Sequence, residues 1–115
     1  MIRRLSLFYA ARDLPRARAL FTAALDVTFS TERHLEQAKY LTAKLPDGAV
    51  LELWPVSARS VTGAQLEFTV PDPDAAAERL SAARFEVRRL SGTALVTDPA
   101  GNTVALTAEG PKENR

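Results

Sequence analysis

Cysteine is absent from this chain of 115 residues, and histidine occurs only once, at His34. The missing thiols exclude a disulfide framework, a cysteine nucleophile and a thiolate zinc site, and they leave the redox compartment open. With a single histidine, the spacing of serine, histidine and aspartate residues indicates no Ser-His-Asp catalytic triad. The sequence contains no GxSxG, HExxH or glycine-rich phosphate-binding motif, so the usual signatures of hydrolases and nucleotide-binding enzymes are missing.

A surplus of charge of either sign is absent as well. Fifteen basic and fourteen acidic residues give a formal net charge of +1, so nothing favours nucleic acid or an anionic membrane as a partner. Hydrophobic residues make up 46% and charged residues 25% of the chain, which is typical of a globular domain. The N-terminal apolar stretch is short, alternates like a strand and has no convincing signal-peptide cleavage site, so we expect a cytoplasmic location.

The chain begins with a strand pattern that changes into a helix pattern. In RRLSLFYAA, apolar residues alternate with residues of a second face, which is strand periodicity. Apolar residues between Ala17 and Ala24 then recur at helical spacing, with Asp13 as the predicted N-cap and Pro15 in the first turn. The pattern predicts a strand followed by an amphipathic helix.

The same order recurs in the second half of the chain. Ungapped, Leu5–Ala24 aligns with Ala64–Ala83, and Asp72 is the predicted cap of the second helix. The turns in LPDGAVLEL and DPAGNTVAL precede matching last strands, and VTFSTE, KYLTAKL, FEVRRL and TALVTD indicate the strands between. We predict one α+β domain of two tandem βαβββ modules, with module one at about 1–56, a linker at about 57–63, module two at about 64–109 and a tail at 110–115.

One helix in each module can cover only one face of its sheet. The alternation predicts that the helix-side face carries Leu5, Leu7, Leu51, Leu53, Leu66, Phe68, Val104 and Leu106. The opposite face is free to be concave, and we expect it to form a ligand site or a partner surface.

These ordered motifs resemble the vicinal oxygen chelate superfamily, which includes glyoxalase I, the bleomycin-resistance proteins and the extradiol dioxygenases. The resemblance extends from Ile2 to about Glu109 and rests on DLPRARALFTAAL, on LPDGAVLEL and DPAGNTVAL, and on the duplicated order. It implies an open, cup-shaped mixed β-sheet with one helix on the convex side of each module. It also implies a homodimer.

Metal-dependent members of this superfamily place one ligand on the first strand and one on the last strand of each module. The corresponding positions here are Ser6, Glu52, Gln65 and Ala105. A catalytic metal needs at least three firm donors, whereas serine is a weak donor and alanine has none. His34 lies in a polar stretch outside these strands. We therefore expect no metal and no other cofactor, with a weakly bound divalent metal as the alternative.

The predicted concave side combines aromatic and polar side chains. The expected ligand-binding residues are Arg4, Phe8, Tyr40, Glu52, Trp54, Gln65, Glu67, Thr103 and Thr107, with Ser6 and Thr69 on the same side. Such a lining suits a planar or cationic organic molecule, so we expect a binding protein similar to the bleomycin-resistance branch. Two alternatives remain: a metal-dependent enzyme of glyoxalase, isomerase or dioxygenase type with Glu52 as ligand or catalytic base, and a dimeric interaction module with no small ligand.

Overall fold

A computed structural model describes residues 2–34, 38–56 and 64–108 of the chain. The predicted linker at 57–63 and the predicted tail at 110–115 lie outside these residues. In chain order the elements are β1 (Arg4–Ala10), α1 (Leu14–Leu25), β2 (Ser30–His34), β3 (Ala38–Lys44), β4 (Val50–Val56), β5 (Gln65–Val70), α2 (Pro73–Ala82), β6 (Arg88–Leu90), β7 (Thr93–Thr97) and β8 (Thr103–Ala108).

The strands form two four-stranded sheets with the same topology. The first has the order β1-β4-β3-β2 and the second the order β5-β8-β7-β6. In each sheet the first strand of the module pairs with the last in parallel, and the remaining neighbours are antiparallel. The prediction of an α+β fold with two βαβββ modules is confirmed.

The two helices begin differently: Asp13 is at the predicted N-cap position of α1, but the capping hydrogen bond expected of its side chain is absent. Asp72 has extended backbone angles, and its carboxylate accepts hydrogen bonds from the N–H groups of Asp74 and Ala75 at 3.1 and 3.2 Å. Asp13 instead ends a short 3₁₀ turn with φ −94° and ψ −8°, and its side chain makes no capping hydrogen bond. A helical conformation at this residue turns its carboxylate away from the N–H groups that an extended N-cap reaches.

The backbone also corrects the predicted alignment of the two first strands. The N–H of Val50 donates to the carbonyl of Arg3 at 2.9 Å, and that of Thr103 donates to Ala64 at 2.8 Å. Arg3 and Ala64 are therefore structural counterparts, which moves the strand alignment by two residues from the ungapped one. The reason is the 3₁₀ turn after β1, which module two lacks, so the helices keep the predicted alignment and the strands do not.

The helix-side faces of both sheets contribute to one hydrophobic core. Its fully buried side chains include Leu20 and Phe21 of α1 and Leu80 of α2, and the predicted helix-side residues of the strands belong to it or pack against it. The edge of the Phe21 ring meets the Phe68 ring, with centroids 6.2 Å apart. The two modules are thus joined through their helix-side surfaces.

The carbonyl groups at the C-terminal end of each helix accept hydrogen bonds from an arginine of the other helix. Nε of Arg79 donates to the carbonyl of Ala23 at 2.7 Å, and Arg16 donates to the carbonyls of Ala83 and Arg84 at 2.9 and 2.6 Å. A cation at a helix C-terminus is favourable because the last carbonyls carry partial negative charge. Each helix thereby receives an arginine from the other module.

A buried polar cluster also joins the modules. The Tyr9 hydroxyl donates to the carboxylate of Asp98 at 2.5 Å, and this carboxylate accepts three further hydrogen bonds from the backbone of Ala100 and from the backbone and side chain of Asn102. Asn102 Oδ1 in turn accepts from the N–H of Ala64 at 2.8 Å. Burial, followed by the hydrogen bond to Asp98 and its charge, raises the pKa of Tyr9 above its ordinary value.

The described part of the chain contains no helix with the length and hydropathy that a membrane span requires.

Candidate ligand-binding site

The side of the first sheet that faces away from α1 brings together seven residues from three strands. We call this surface the aromatic face; its residues are Arg4, Ser6, Phe8, Tyr40, Thr42, Glu52 and Trp54. The parallel pairing of β1 with β4 places Ser6 beside Glu52 and Phe8 beside Trp54. One surface, about three strands wide, therefore carries five of the predicted ligand-binding residues: Arg4, Phe8, Tyr40, Glu52 and Trp54.

Glu52 is the buried centre of the aromatic face, with only 4% of its surface exposed. Its Oε1 accepts hydrogen bonds from the hydroxyl of Ser6 and from the indole N–H of Trp54, both at 2.9 Å. Its Oε2 accepts from the guanidinium of Arg4, with which it forms an ion pair. Burial by itself acts to raise the pKa of Glu52, but the hydrogen bonds from Trp54, Ser6 and Arg4 and the charge of Arg4 outweigh it, so the pKa is lowered.

These contacts define what the Glu52 carboxylate does in the site. A general base works best when its pKa lies near the operating pH, whereas this carboxylate has three donors and a lowered pKa. Its hydrogen bond to Nε1 orients the indole of Trp54. The geometry is that of a positioning residue, and a catalytic role for Glu52 stays a prediction.

The three aromatic rings form a row across β1, β4 and β3. Trp54 and Tyr40 stack with centroids 4.1 Å apart and planes 7° apart, and Phe8 lies 6.5 Å from Trp54 with an angle of 25°. Phe8 retains 46% of its exposure. A row of nearly parallel rings offers apolar contact area with few rotatable bonds, which suits a flat ligand.

The corresponding side of the second sheet is chemically different. We call it the threonine face; it contains Gln65, Glu67, Thr69, Thr103, Ala105 and Thr107. Gln65, Glu67 and Thr69 are exposed, and the hydroxyl of Thr107 donates to the Glu67 carboxylate at 3.2 Å. The predicted ligand residues Gln65, Glu67, Thr103 and Thr107 are thus brought together with one another, but on a different sheet from the aromatic face.

The residues at the positions that the resemblance aligns with metal ligands form a poor donor set for a metal. The Glu52 carboxylate already accepts a hydrogen bond from the cationic guanidinium of Arg4, the Ser6 hydroxyl donates a hydrogen bond to Glu52, and the Ala105 side chain has no atom that can coordinate a metal. The corrected strand alignment makes Glu67 rather than Gln65 the counterpart of Ser6, since Glu67 pairs with Ala105 as Ser6 pairs with Glu52. Among residues 2–34, 38–56 and 64–108, no three His, Cys, Asp or Glu side chains are grouped to hold an ion.

The sequence analysis missed one residue on the aromatic face. Thr42 is half-buried and pairs with Glu52 in the antiparallel register of β3 and β4, so it shares the face with Tyr40. The alternation in KYLTAKL carries this signal, because residues two apart in a strand share a face. Thr42 adds a hydroxyl beside the aromatic row.

Comparison with known proteins gives fold relatives at low sequence identity. No protein-family model matches the chain, and neither does any curated protein. Among solved structures, a possible glyoxalase from Bacillus cereus is similar over 94% of this chain and 98% of its own, with 22% identity and a TM-score of 0.68. A glyoxylase/bleomycin resistance protein/dioxygenase domain from Frankia sp. EAN1pec matches over 94% and 96%, with 18% identity and a TM-score of 0.70.

A third similar structure is TnmS3, an antibiotic-binding protein from Streptomyces sp. CB03234. It covers 96% of each chain with 17% identity and a TM-score of 0.68. At these identities the likeness concerns the course of the backbone and leaves the ligand of this chain open. The matches extend over nearly the whole chain, which therefore has the fold of the vicinal oxygen chelate superfamily.

Proposed function

We propose that the protein binds a small planar organic molecule on the aromatic face, without a metal. The observation that carries the proposal is the row of Phe8, Trp54 and Tyr40, whose central ring is oriented by the Glu52 carboxylate. A side chain that is already oriented loses little conformational freedom when a ligand binds, so more of the contact energy remains for affinity.

Charge on the aromatic face favours a ligand that is neutral or weakly charged. The carboxylate of Glu52 is compensated by Arg4, whose side chain is 61% exposed and can offer its other N–H groups to a carbonyl or hydroxyl oxygen. Ser6 is engaged with Glu52, and Thr42 adds a neutral hydroxyl. Flat rings with a few hydrogen-bonding groups at their edge fit this arrangement.

The relatives are consistent with binding but do not define the ligand. TnmS3 is described as an antibiotic-binding protein, and the Bacillus cereus structure as a possible glyoxalase. The aromatic row supports the first kind of activity, and the poor donor set at Ser6 and Ala105 argues against metal-dependent catalysis of the second kind. A cytoplasmic location remains part of the proposal.

The direct test is a titration of Trp54, the only tryptophan in the chain, with a panel of planar aromatic compounds in the presence of EDTA. We expect saturable changes in its fluorescence for at least one compound, and an affinity that EDTA does not change. Saturation only after addition of a divalent metal would contradict the proposal and favour the enzyme. No response to any compound would favour the interaction module.

Variants then assign the binding to the aromatic face. Calorimetry with a compound from the panel should show at least about a tenfold weaker affinity for Trp54→Leu, because the stacking surface is lost. Ile2→Ala is the control, since Ile2 is an exposed apolar residue outside the face and its loss should leave affinity unchanged. Equal affinities for the two variants would place the ligand elsewhere.

A further inference from the structure

A cavity lies on the other side of the first sheet from the aromatic face. It has a volume of about 390 Å³ and lies between the start of α1 and the strands β2 and β3. Its lining includes both apolar and polar side chains: Leu14, Pro15, Arg18, Thr31, Lys39 and Leu41. Tyr40, at the end of the aromatic row, borders the cavity as well. The cavity therefore combines apolar contact area with cationic groups, which the aromatic row does not.

Three cations meet at this cavity without an acidic partner. Arg33 of β2 and Lys39 of β3 are directly opposite each other in the antiparallel register, so their side chains leave the sheet on the same side. Arg18 reaches the cavity from α1. The neighbouring Glu32 is paired with Tyr40, which places it on the opposite side of the sheet. Within the described ranges, no carboxylate forms an ion pair with any of the three cations.

This arrangement of charge is unfavourable unless an anion joins it. Like charges directly opposite on neighbouring strands destabilise a sheet. Arg18 is held at the cavity by a long hydrogen bond of 3.4 Å from its guanidinium to the carbonyl of Phe29, and its other N–H groups have no acceptor among the described residues. Thr31 adds a hydroxyl on the same side. An anion from solution would offset the repulsion and accept these free hydrogen bonds.

We infer that this cavity binds a small phosphate monoester, a second ligand site that is separate from the proposed one. Its phosphate group contacts Arg18, Arg33 and Lys39, because a charge close to −2 at neutral pH and three acceptor oxygens match several cationic donors. Its short apolar body contacts Leu14 and Leu41, which a bare ion would leave exposed. A cavity of about 390 Å³ is near the lower end of the range for ligand sites, so it admits a short body rather than a lipid chain.

The ligand class is tested by calorimetry with butyl phosphate, inorganic phosphate and 1-butanol at constant ionic strength. Butyl phosphate is neither planar nor aromatic, so it has no ring to stack on the aromatic face. We expect saturable binding of butyl phosphate, about tenfold weaker binding of inorganic phosphate because it buries no carbon, and no binding of butanol. Equal affinities for the two phosphates would overturn the apolar contact, and no binding of either would overturn the site.

Two lysines of β3 give a matched pair of variants for the site. Both are exposed, but Lys44 lies on the side of the sheet that carries Thr42 and the aromatic face. Lys39→Gln should weaken the binding of butyl phosphate about tenfold, because a charge-assisted hydrogen bond is lost. Lys44→Gln makes the same charge change and should leave the affinity unchanged. Equal losses in the two variants would indicate diffuse attraction to positive charge and would overturn the inference.

Thermal unfolding provides a readout that a purely structural lysine would not give. In Hepes and sodium chloride, Lys39→Gln should unfold at or above the temperature of the native protein, because its repulsion with Arg33 is removed. At ten times the dissociation constant, butyl phosphate should raise the unfolding temperature of the native protein by about 5 °C and so reverse this order. A variant that is less stable than the native protein by the same amount in both buffers would overturn the inference.

Two further measurements identify the source of the phosphate and separate the two sites. The protein should not sediment with phosphatidylcholine vesicles that contain phosphatidic acid, and sedimentation without affinity for butyl phosphate would replace the soluble ester with a lipid headgroup. Trp54→Leu should bind butyl phosphate as the native protein does, since Trp54 does not line the cavity. A loss of that affinity in Trp54→Leu would place the phosphate on the aromatic face and overturn the second site. Binding of butyl phosphate with no response to any planar compound would keep this inference and refute the proposed function.

Discussion

The two modules share a fold and differ on the surface that each presents away from its helix. Module one presents Phe8, Tyr40 and Trp54 around a buried carboxylate, whereas module two presents mostly hydroxyl and amide groups around Ala105. The helix-side faces are apolar in both modules because both must fill one core. The fold therefore constrains one face of each sheet, and the other face is where the modules have acquired different chemistry.

The turns before the last strands differ in a comparable way. In module two, Asp98 and Asn102 form a buried hydrogen-bonded cluster that receives the Tyr9 hydroxyl. At the same turn positions module one has Leu45 and Ala49, which are apolar. Both turns close with the same backbone hydrogen bonds, since Leu45 and Asp98 each donate to the residue four positions later. The turn of module one only reverses the chain, whereas the turn of module two also connects the two modules through Asp98.

The largest effect should come from removing the carboxylate of that cluster. Asp98→Ala leaves the Tyr9 hydroxyl and the Asn102 amide buried without their acceptor, which should lower the free energy of unfolding by about 3 kcal/mol. Asp47→Ala is the matched control in module one, where the exposed carboxylate accepts from the N–H of Ala49, and should cost about 1 kcal/mol. Urea unfolding measures both. Equal losses would show that the two turns contribute alike.

Tyr9→Phe tests the same connection with a smaller change. The variant should lose about 1.5 kcal/mol at pH 8, because Asp98 loses one of its donors. Since the folded-state pKa of Tyr9 is raised, the unfolded state gives up its proton first, and wild-type stability falls as the pH rises above about 10. The deficit of Tyr9→Phe should therefore shrink at alkaline pH. A deficit that is constant from pH 8 to 11 would contradict the buried hydrogen bond.

Glu52→Gln tests the centre of the aromatic face. At pH 7 the variant should lose about 1 kcal/mol, because Arg4 and Trp54 then face a neutral amide. The folded-state pKa of Glu52 is lowered, so the contribution of its charge is present above the ordinary value of 4.5 and disappears as the pH falls through the folded-state value. The wild-type advantage should therefore decline below pH 4.5. An advantage that grows in acid would refute the assigned hydrogen bonds.

The smallest effect is expected on the threonine face. Thr107→Val removes a hydroxyl that donates to exposed Glu67, and it should change the free energy of unfolding by less than about 0.5 kcal/mol. Thermal unfolding followed by circular dichroism is sufficient for this comparison. A loss as large as that of Glu52→Gln would mean that the second face is as strongly organised as the first.

The periodicity of the sequence was sufficient to predict the modules and their helix-side faces. Apolar residues alternate around Leu7 and Leu53 and recur at helical spacing around Leu20, and these three leucines are buried in the core. The position of Glu52 beside Ser6, with Arg4 two residues earlier on the same face of β1, also follows from strand pairing once the modules are recognised. The aromatic residues of the site were found in the same way, from the side of the strand on which they lie.

Other features depend on interactions that periodicity does not report. A 3₁₀ turn after β1 leaves Asp13 at the N-cap position without a capping hydrogen bond, and it moves the counterpart of Ser6 by two residues. Tyr9 matched an apolar strand position, and its hydroxyl partner lies 89 residues away in the chain. Such a contact depends on how the modules pack together, which no local pattern records.

The measurement that tests the central claim most directly is a two-dimensional ¹H–¹⁵N NMR titration with a planar compound selected by Trp54 fluorescence. The indole N–H of Trp54 and the backbone amides of Phe8 and Tyr40 should show the largest shifts, in the presence of EDTA, because the ligand stacks on their rings. Shifts concentrated on the α1 and α2 surface, with the Trp54 indole unmoved, would contradict the assignment of the ligand to the aromatic face.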